Sequence, residues 1–155
     1  MTSTASVELL MREPVYGTHN RQQSVVRELR ELESAGRVDE VDVTTWGKRL
    51  VLDDDRDRHT SSTARERFRE FEAWAERTGH SLEPAFARRT LRIDPDAAPK
   101  AVVDLPVICL AVFDDGLRAV LPCADGDETY TVDDGLRMLA GEGDPVPGLD
   151  RRKVA

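Results

Sequence analysis

Apolar and polar positions alternate at the start of the chain. Between residues 6 and 12, Val7, Leu9 and Met11 stand against Glu8, Leu10 and Arg12. A period of two over such a run predicts a strand with one well-buried face. A short loop from Glu13 to His19 follows, and it holds Pro14 and Gly17. The period then lengthens. Asn20 is placed to cap a helix over 21–35, where Val25, Leu29 and Leu32 recur at i, i+4 and i+7 and Val26 widens the stripe. Gly36 stands where a left-handed residue closes a helix. Alternation returns over 38–45, with Asp39, Val41, Val43 and Thr45 on one face and Glu40, Asp42 and Thr44 on the other, the pattern of a half-exposed strand. Trp46-Gly47 then turns the chain, and Lys48 to Leu52 reads as a returning strand.

Residues 53–62 are a polar linker. A second helix is predicted over 64–78: Thr63 and Glu66 have capping-box spacing, Phe68, Phe71 and Trp74 line one face, and Gly79 ends it. Leu82 and Phe86 pack back onto the same core, and 94–100 is a loop. The C-terminal third reads as β-rich. The strongly apolar Val102 to Phe113 is followed by Asp115-Gly116, a two-residue hairpin signal. Such a turn pairs Asp114 with Leu117, so paired residue numbers add to 231. Cys109 then opposes Pro122 and Cys123 opposes Ile108, which points the two thiols to opposite sides of the sheet, whereas a three-residue loop would shift the register and bring them diagonally near each other. Asp125-Gly126 makes a second turn before Glu128 to Val132, and a short helix starts behind Thr131 with Asp134 at the capping-box position. Gly141 ends that helix. The tail 142–155, with Pro145 and Pro147, reads as disordered.

Together these elements predict an α+β domain over 1–141, with possible lobes 1–52 and 63–141. Its first part is ferredoxin-like: strand 6–12 and strand 38–45 run parallel, with the helix as crossover. The C-terminal hairpins extend the sheet in antiparallel fashion. A sheet with helices on one face leaves the other to be covered, so a homodimer formed through that face or an edge strand is expected.

Charge adds information about the surroundings. Of 22 basic residues only Lys48, Lys100 and Lys153 are lysines, leaving 19 arginines, and 17 Asp outnumber 13 Glu. With a net charge of −8, this surface resembles that of cytosolic proteins from salt-loving archaea. In molar salt the Debye length shrinks to about 3 Å, which weakens any function built on long-range attraction. No run of 18 apolar residues and no basic-then-apolar leader is present, so a cytoplasmic chain with no membrane partner is expected.

Candidate chemistry is sparse. Ser-x-x-Lys, Gly-x-Ser-x-Gly, His-Glu-x-x-His and phosphate-binding glycine loops are absent. The carboxylate runs at Asp53-Asp54-Asp55, Asp114-Asp115 and Asp133-Asp134 read as solvated turns and a helix start, without an EF-hand pattern. Cys109 and Cys123 have no zinc-ligand spacing and read as buried free thiols. His80, just after Gly79, reads as a helix-end or solvent residue, Trp74 as core, and Trp46 as folded over the first helix. No catalytic residue, metal or cofactor is expected, and the chain reads as non-enzymatic.

One resemblance bears on function. Ser24 to Val38, ending in Glu33-Ser34-Ala35-Gly36-Arg37-Val38, and then Val41 to Leu52 with Gly47 in the middle, resemble the recognition helix and glycine-tipped wing of a winged-helix DNA-binding domain. Trp46-Gly47, Ala73-Trp74-Ala75-Glu76-Arg77 and Leu121-Pro122-Cys123 are similar to landmarks of small haloarchaeal helix-turn-helix domain proteins, whose function is undefined. The resemblance implies an alternative fold, a winged helix-turn-helix followed by a β-rich C-terminal lobe. It implies DNA contacts from Arg21, Gln22, Gln23, Arg27 and Arg30 on the helix and from Lys48 and Arg49 on the wing. Two helices should precede a recognition helix, whereas about 20 residues with a strand-like run precede this one. The sheet reading therefore leads. Functionally, the chain reads as a regulatory or binding protein associated with transcription. The alternative is a small-molecule sensor or protein-interaction module.

Overall fold

The computed structural model describes residues 5–13, 19–52, 62–83, 85–92, 94–142 and 146–149. The polar linker and the loop with Pro14 and Gly17 lie almost wholly outside the described residues. The elements run β1 (Ser6–Arg12), α1 (His19–Ser34), β2 (Glu40–Trp46), β3 (Arg49–Val51), α2 (Ser62–Thr78), β4 (Ala87–Leu91), β5 (Lys100–Asp104), β6 (Ile108–Phe113), β7 (Leu117–Leu121), β8 (Cys123–Asp125), β9 (Glu128–Tyr130) and α3 (Val132–Leu139). The content is α+β, as expected.

β1 and β2 run parallel, joined by α1, with Val7 opposite Val41 and Leu9 opposite Val43. The opening segment is therefore extended, and the helical start that a winged domain needs is not formed there. The principal sheet has the order β2-β1-β6-β7, with β6 antiparallel to both its neighbours. β1 and β2 touch directly, so the crossover is contiguous rather than split by an inserted strand.

Register assigns the two faces of this sheet. Val7 and Leu9 share a face with Val112, Leu110 and Leu121. α3 lies on that face, because a Cβ at Gly135 would collide with Leu121 and approach Leu110. α1 lies beside α3, tied by Arg21 to Asp133 at 2.8 Å. The opposite face carries Glu8, Leu10 and Cys109, and α2 covers it. Both faces of β1 are thus buried, which explains a strand that is apolar on both sides at Leu9 and Leu10.

Several local expectations hold. The thiol-bearing hairpin keeps its predicted register in the body: Leu110 opposes Leu121, Ala111 opposes Val120 and Val112 opposes Ala119. At the turn Phe113 faces Leu117, so the loop has three residues and Arg118 is the extra residue of a bulge. The released Arg118 carbonyl accepts a hydrogen bond from Trp74 Nε1 at 3.0 Å. Thr131 and Asp134 form the predicted capping box. α1 closes at Gly36 (φ 76°), with Arg37 N–H donating to Leu32 O and Gly36 N–H to Glu33 O. This is the paired-bond ending that a left-handed glycine permits.

Others need correction. α1 begins at His19, so Asn20 is inside the helix and not its cap. α2 begins at Ser62, which places Thr63 in its first turn. The wing does not form: β3 pairs with β5, not β2, in a second sheet of order β3-β5-β4. The chain is diverted at Trp46, whose Nε1 donates to Pro106 O at 3.1 Å, and two residues later Lys48 O accepts from Leu105 N–H at 2.9 Å. Two segments thus pass side by side from one sheet to the other. Trp46 opposes Arg12 in register, on the face away from α1. It is buried against Phe86, ring edge to ring face at 5.9 Å, and not over the first helix. Phe86 also meets Phe68 and Phe71, so one aromatic cluster joins α2 to both sheets. The β6–β7 ladder ends at Leu121. Cys123 belongs to β8 and pairs with Tyr130, which puts it beyond the register argument for the thiols. Within the expected disordered tail, Val146 is buried in the core and bonds Leu149 in both directions. Gly148 there lies so close to the Arg118 carbonyl that no Cβ fits.

Candidate nucleic-acid interface

α1 amphipathicity dictates which expected contacts reach solvent. Val25 and Leu29 are buried against the sheet, so the side chains a half-turn away point outward. Arg21, Gln23, Arg27 and Arg30 are exposed. Arg21 is held by Asp133 of α3. Arg30 donates to Val41 O at 3.2 Å and to Glu33 at 3.3 Å. Gln22 is fully buried. Its Nε2 donates to Arg12 O at 2.9 Å and to Val107 O at 3.4 Å, so it pins the ends of β1 and β6 and cannot serve as a surface contact. Its Oε1 is buried without a hydrogen-bond partner among the described residues. Lys48 is exposed at the crossing between the sheets, and Arg49 of β3 lies 3.6 Å from Asp104 of β5. The structure therefore brings Arg21, Gln23, Arg27 and Arg30 together on one helix and puts Lys48 and Arg49 with the second sheet. The α1 surface also carries exposed Glu28 and Glu31 and half-buried Glu33. Its cations are nearly balanced.

A second set of arginines, interleaved with exposed Glu66, Glu70 and Glu76 of α2, lies on the other side. β4 is an edge strand carrying exposed Arg88 and Arg89 on opposite faces. Arg89 grips Asp104 with Nε and Nη2, both at 3.1 Å. Arg88 lies 5.6 Å from the centre of the Phe68 ring and pairs with Glu72 of α2. Arg65 Nη2 donates to Val51 O at 2.9 Å, and Arg69 stands exposed one turn further along α2. Sequence reading missed this set, because β4 shows no alternation and its arginines lie some 20 residues from those of α2.

The thiols and ring groups show no catalytic arrangement among the described residues. Burial pushes Cys109 well above the ordinary thiol value, with the Glu8 carboxylate and Cys123 adding to it. Cys123 is pushed up to about 12, by burial first and Asp125 second. Tyr130 is raised to about 12 by its hydrogen bond to Glu128. His80 stacks on Trp74 at 5.4 Å and meets Thr78 Oγ1 at 2.7 Å. Among the described residues no three His, Cys, Asp or Glu side chains gather as a metal site, and no helix is long and apolar enough to cross a membrane.

The buried thiols carry a pH prediction. Thiols whose folded pKa is raised hold their protons in the fold after the unfolded chain has released them at about 8.5. Stability is therefore full below about pH 8.5 and is lost as pH rises toward 12. Thermal midpoints measured from pH 7 to 10.5 should fall, and the fall should be smaller in Cys109→Ala/Cys123→Ala. An identical slope in both proteins would remove the thiols as its cause.

Comparison with known families places this geometry. A family model described as a helix-turn-helix domain matches residues 1–144. The chain belongs to that family. No curated protein and no solved structure matches it. Among the described residues of this helix-turn-helix family member, no helix is followed directly by another: α1 leads into β2 and α2 into β4. The helix that resembles a recognition helix is the crossover of a parallel β-unit.

Proposed function

We propose that this protein is a non-enzymatic, cytoplasmic regulator that acts by binding DNA. The supporting observation is its membership of a helix-turn-helix family over residues 1–144. The clustering of arginines on a chain of net charge −8 agrees with it. In concentrated salt, counterion release contributes little, so binding would rest on direct contacts and buried surface. The deciding experiment is fluorescence anisotropy with a random 30-base-pair duplex and with pooled genomic fragments, starting in 1 M KCl. Saturable binding supports the reading; a folded protein that binds neither at any salt removes it.

A homodimer is part of this proposal. Val43 is the one large hydrophobic residue exposed among those described, at 37%, and it sits on β2, an end strand of the principal sheet. An unpaired edge with an apolar residue invites strand pairing with a second copy. A monomer mass by light scattering would exclude this arrangement.

A further inference from the structure

We propose that residues 146–149 form a strap that closes over β7, an end strand of the principal sheet. The strap opens as a unit of its own, so this flank has a covered and an uncovered state while the rest of the fold stands unchanged.

Four observations carry it. First, the turn is complete in itself. Val146 N–H donates to Leu149 O at 3.1 Å, and Leu149 N–H donates to Val146 O at 2.9 Å. Between them stand Pro147, whose ring presets φ, and Gly148, which takes the left-handed value of 86°. A type II turn asks for those two residues in that order. Second, packing holds the strap to the body. Val146 is 5% exposed, and Leu149 packs on the same core. Among the described residues, the backbone hydrogen bonds of Val146 and Leu149 both lie inside the turn. A short segment held by a few apolar contacts opens at lower free energy than the strands beneath it.

Third, the seat is keyed to glycine. A Cβ at Gly148 would run into the Arg118 carbonyl and crowd the Ala119 methyl group. That carbonyl belongs to the β7 bulge, and Trp74 Nε1 meets it from the α2 side. Ala119 lies opposite Val112, on the face that α3 covers. The strap therefore rests on the piece of backbone where the two helical layers meet. Fourth, the family match stops at residue 144, so the strap lies beyond the matched part of the chain. The elements of the matched part end with α3 at Leu139, and opening the strap breaks no strand pairing in either sheet.

The test is amide hydrogen exchange of the full chain, followed by NMR in low concentrations of urea. The Val146 and Leu149 amides should exchange about 100-fold faster than those of Leu9 and Leu110, with no dependence on urea. Equal protection with an equal urea dependence would overturn the proposal, because strap and sheet would then open together. Gly148→Ala gives a second reading. Its two strap amides should lose their protection and its Trp74 indole resonance should shift, while the Trp46 indole and the sheet amides keep their wild-type positions. A variant that retains strap protection shows that the seat is not keyed to glycine and overturns the proposal. So does a variant that unfolds or loses protection throughout the sheet, since the body would then depend on the strap.

Discussion

Arg67→Ala should destabilise the fold by about 3 kcal/mol, one of the two largest effects expected of any single substitution here. Glu8 lies in β1, the strand flanked on both sides, and is nearly buried. Its carboxylate is satisfied from two directions: Arg67 Nε of α2 at 2.5 Å and Thr44 Oγ1 of β2 at 3.0 Å. Glu8 in turn holds the Arg67 pKa above its usual value, chiefly through that hydrogen bond. Arg67 also lies 5.8 Å from the centre of the Phe113 ring. Removing it strands a carboxylate among Leu10, Cys109 and Ala111, where a lone charge is costly. Its side chain is 29% exposed, so water can partly replace it, which sets the estimate at the low end of the range for broken buried pairs. Replacing both partners tests the cause. Glu8→Leu/Arg67→Met should recover most of the loss, because no charge is left unpaired. Urea unfolding of the three proteins decides it; a single variant within 0.5 kcal/mol of wild type, a surface-sized change, would sink the account.

Trp74→Ala should cost about 3–5 kcal/mol, which for a domain of this size lowers the thermal midpoint by roughly 6–20 °C. Trp74 is 1% exposed and does three things. It fills the space between α2 and β7, it donates to the carbonyl that the Arg118 bulge releases, and it stacks on His80. His80 in turn reaches toward Asp125 of β8 at 4.0 Å. Trp74→Phe should separate these roles. It keeps most of the volume and leaves the Arg118 carbonyl unmet, for a loss of about 1–3 kcal/mol. Equal losses from Ala and Phe would show that volume is not the main contribution.

Much of the backbone could be read from the sequence, because local rules govern it. Apolar periods located β1, α1, β2 and α2, glycines marked the helix ends, and Thr131 with Asp134 marked the start of α3. The parallel pairing of β1 with β2 followed from a helix placed between two strands. Failures came where a residue answers to a distant partner. Glu8 and Gln22 read as polar surface positions, yet both are buried, since their partners lie on elements far along the chain. β4 was missed because an exposed edge strand with Ala87, Arg88, Arg89 and Thr90 has no apolar alternation to show. The wing was misread because strand, glycine and strand in succession look like a hairpin until Trp46 finds Pro106 and draws the chain away. The ending Glu33-Ser34-Ala35-Gly36-Arg37-Val38, read as the close of a recognition helix, is equally the ending of a crossover helix. Helix termination responds to Gly36 and not to what lies beyond it. Arg65, Arg69 and Arg88, which line one groove, belong to α2 and β4, and only the tertiary fold makes them neighbours.

The seating of Leu9 opposite Leu110 bears on how the polypeptide is made. A strand whose partner is about a hundred positions downstream must wait, one flank open, until the ribosome has released β6, and contacts so far apart along the chain form slowly. During synthesis that flank is the place where a nascent chain is vulnerable to the wrong neighbour.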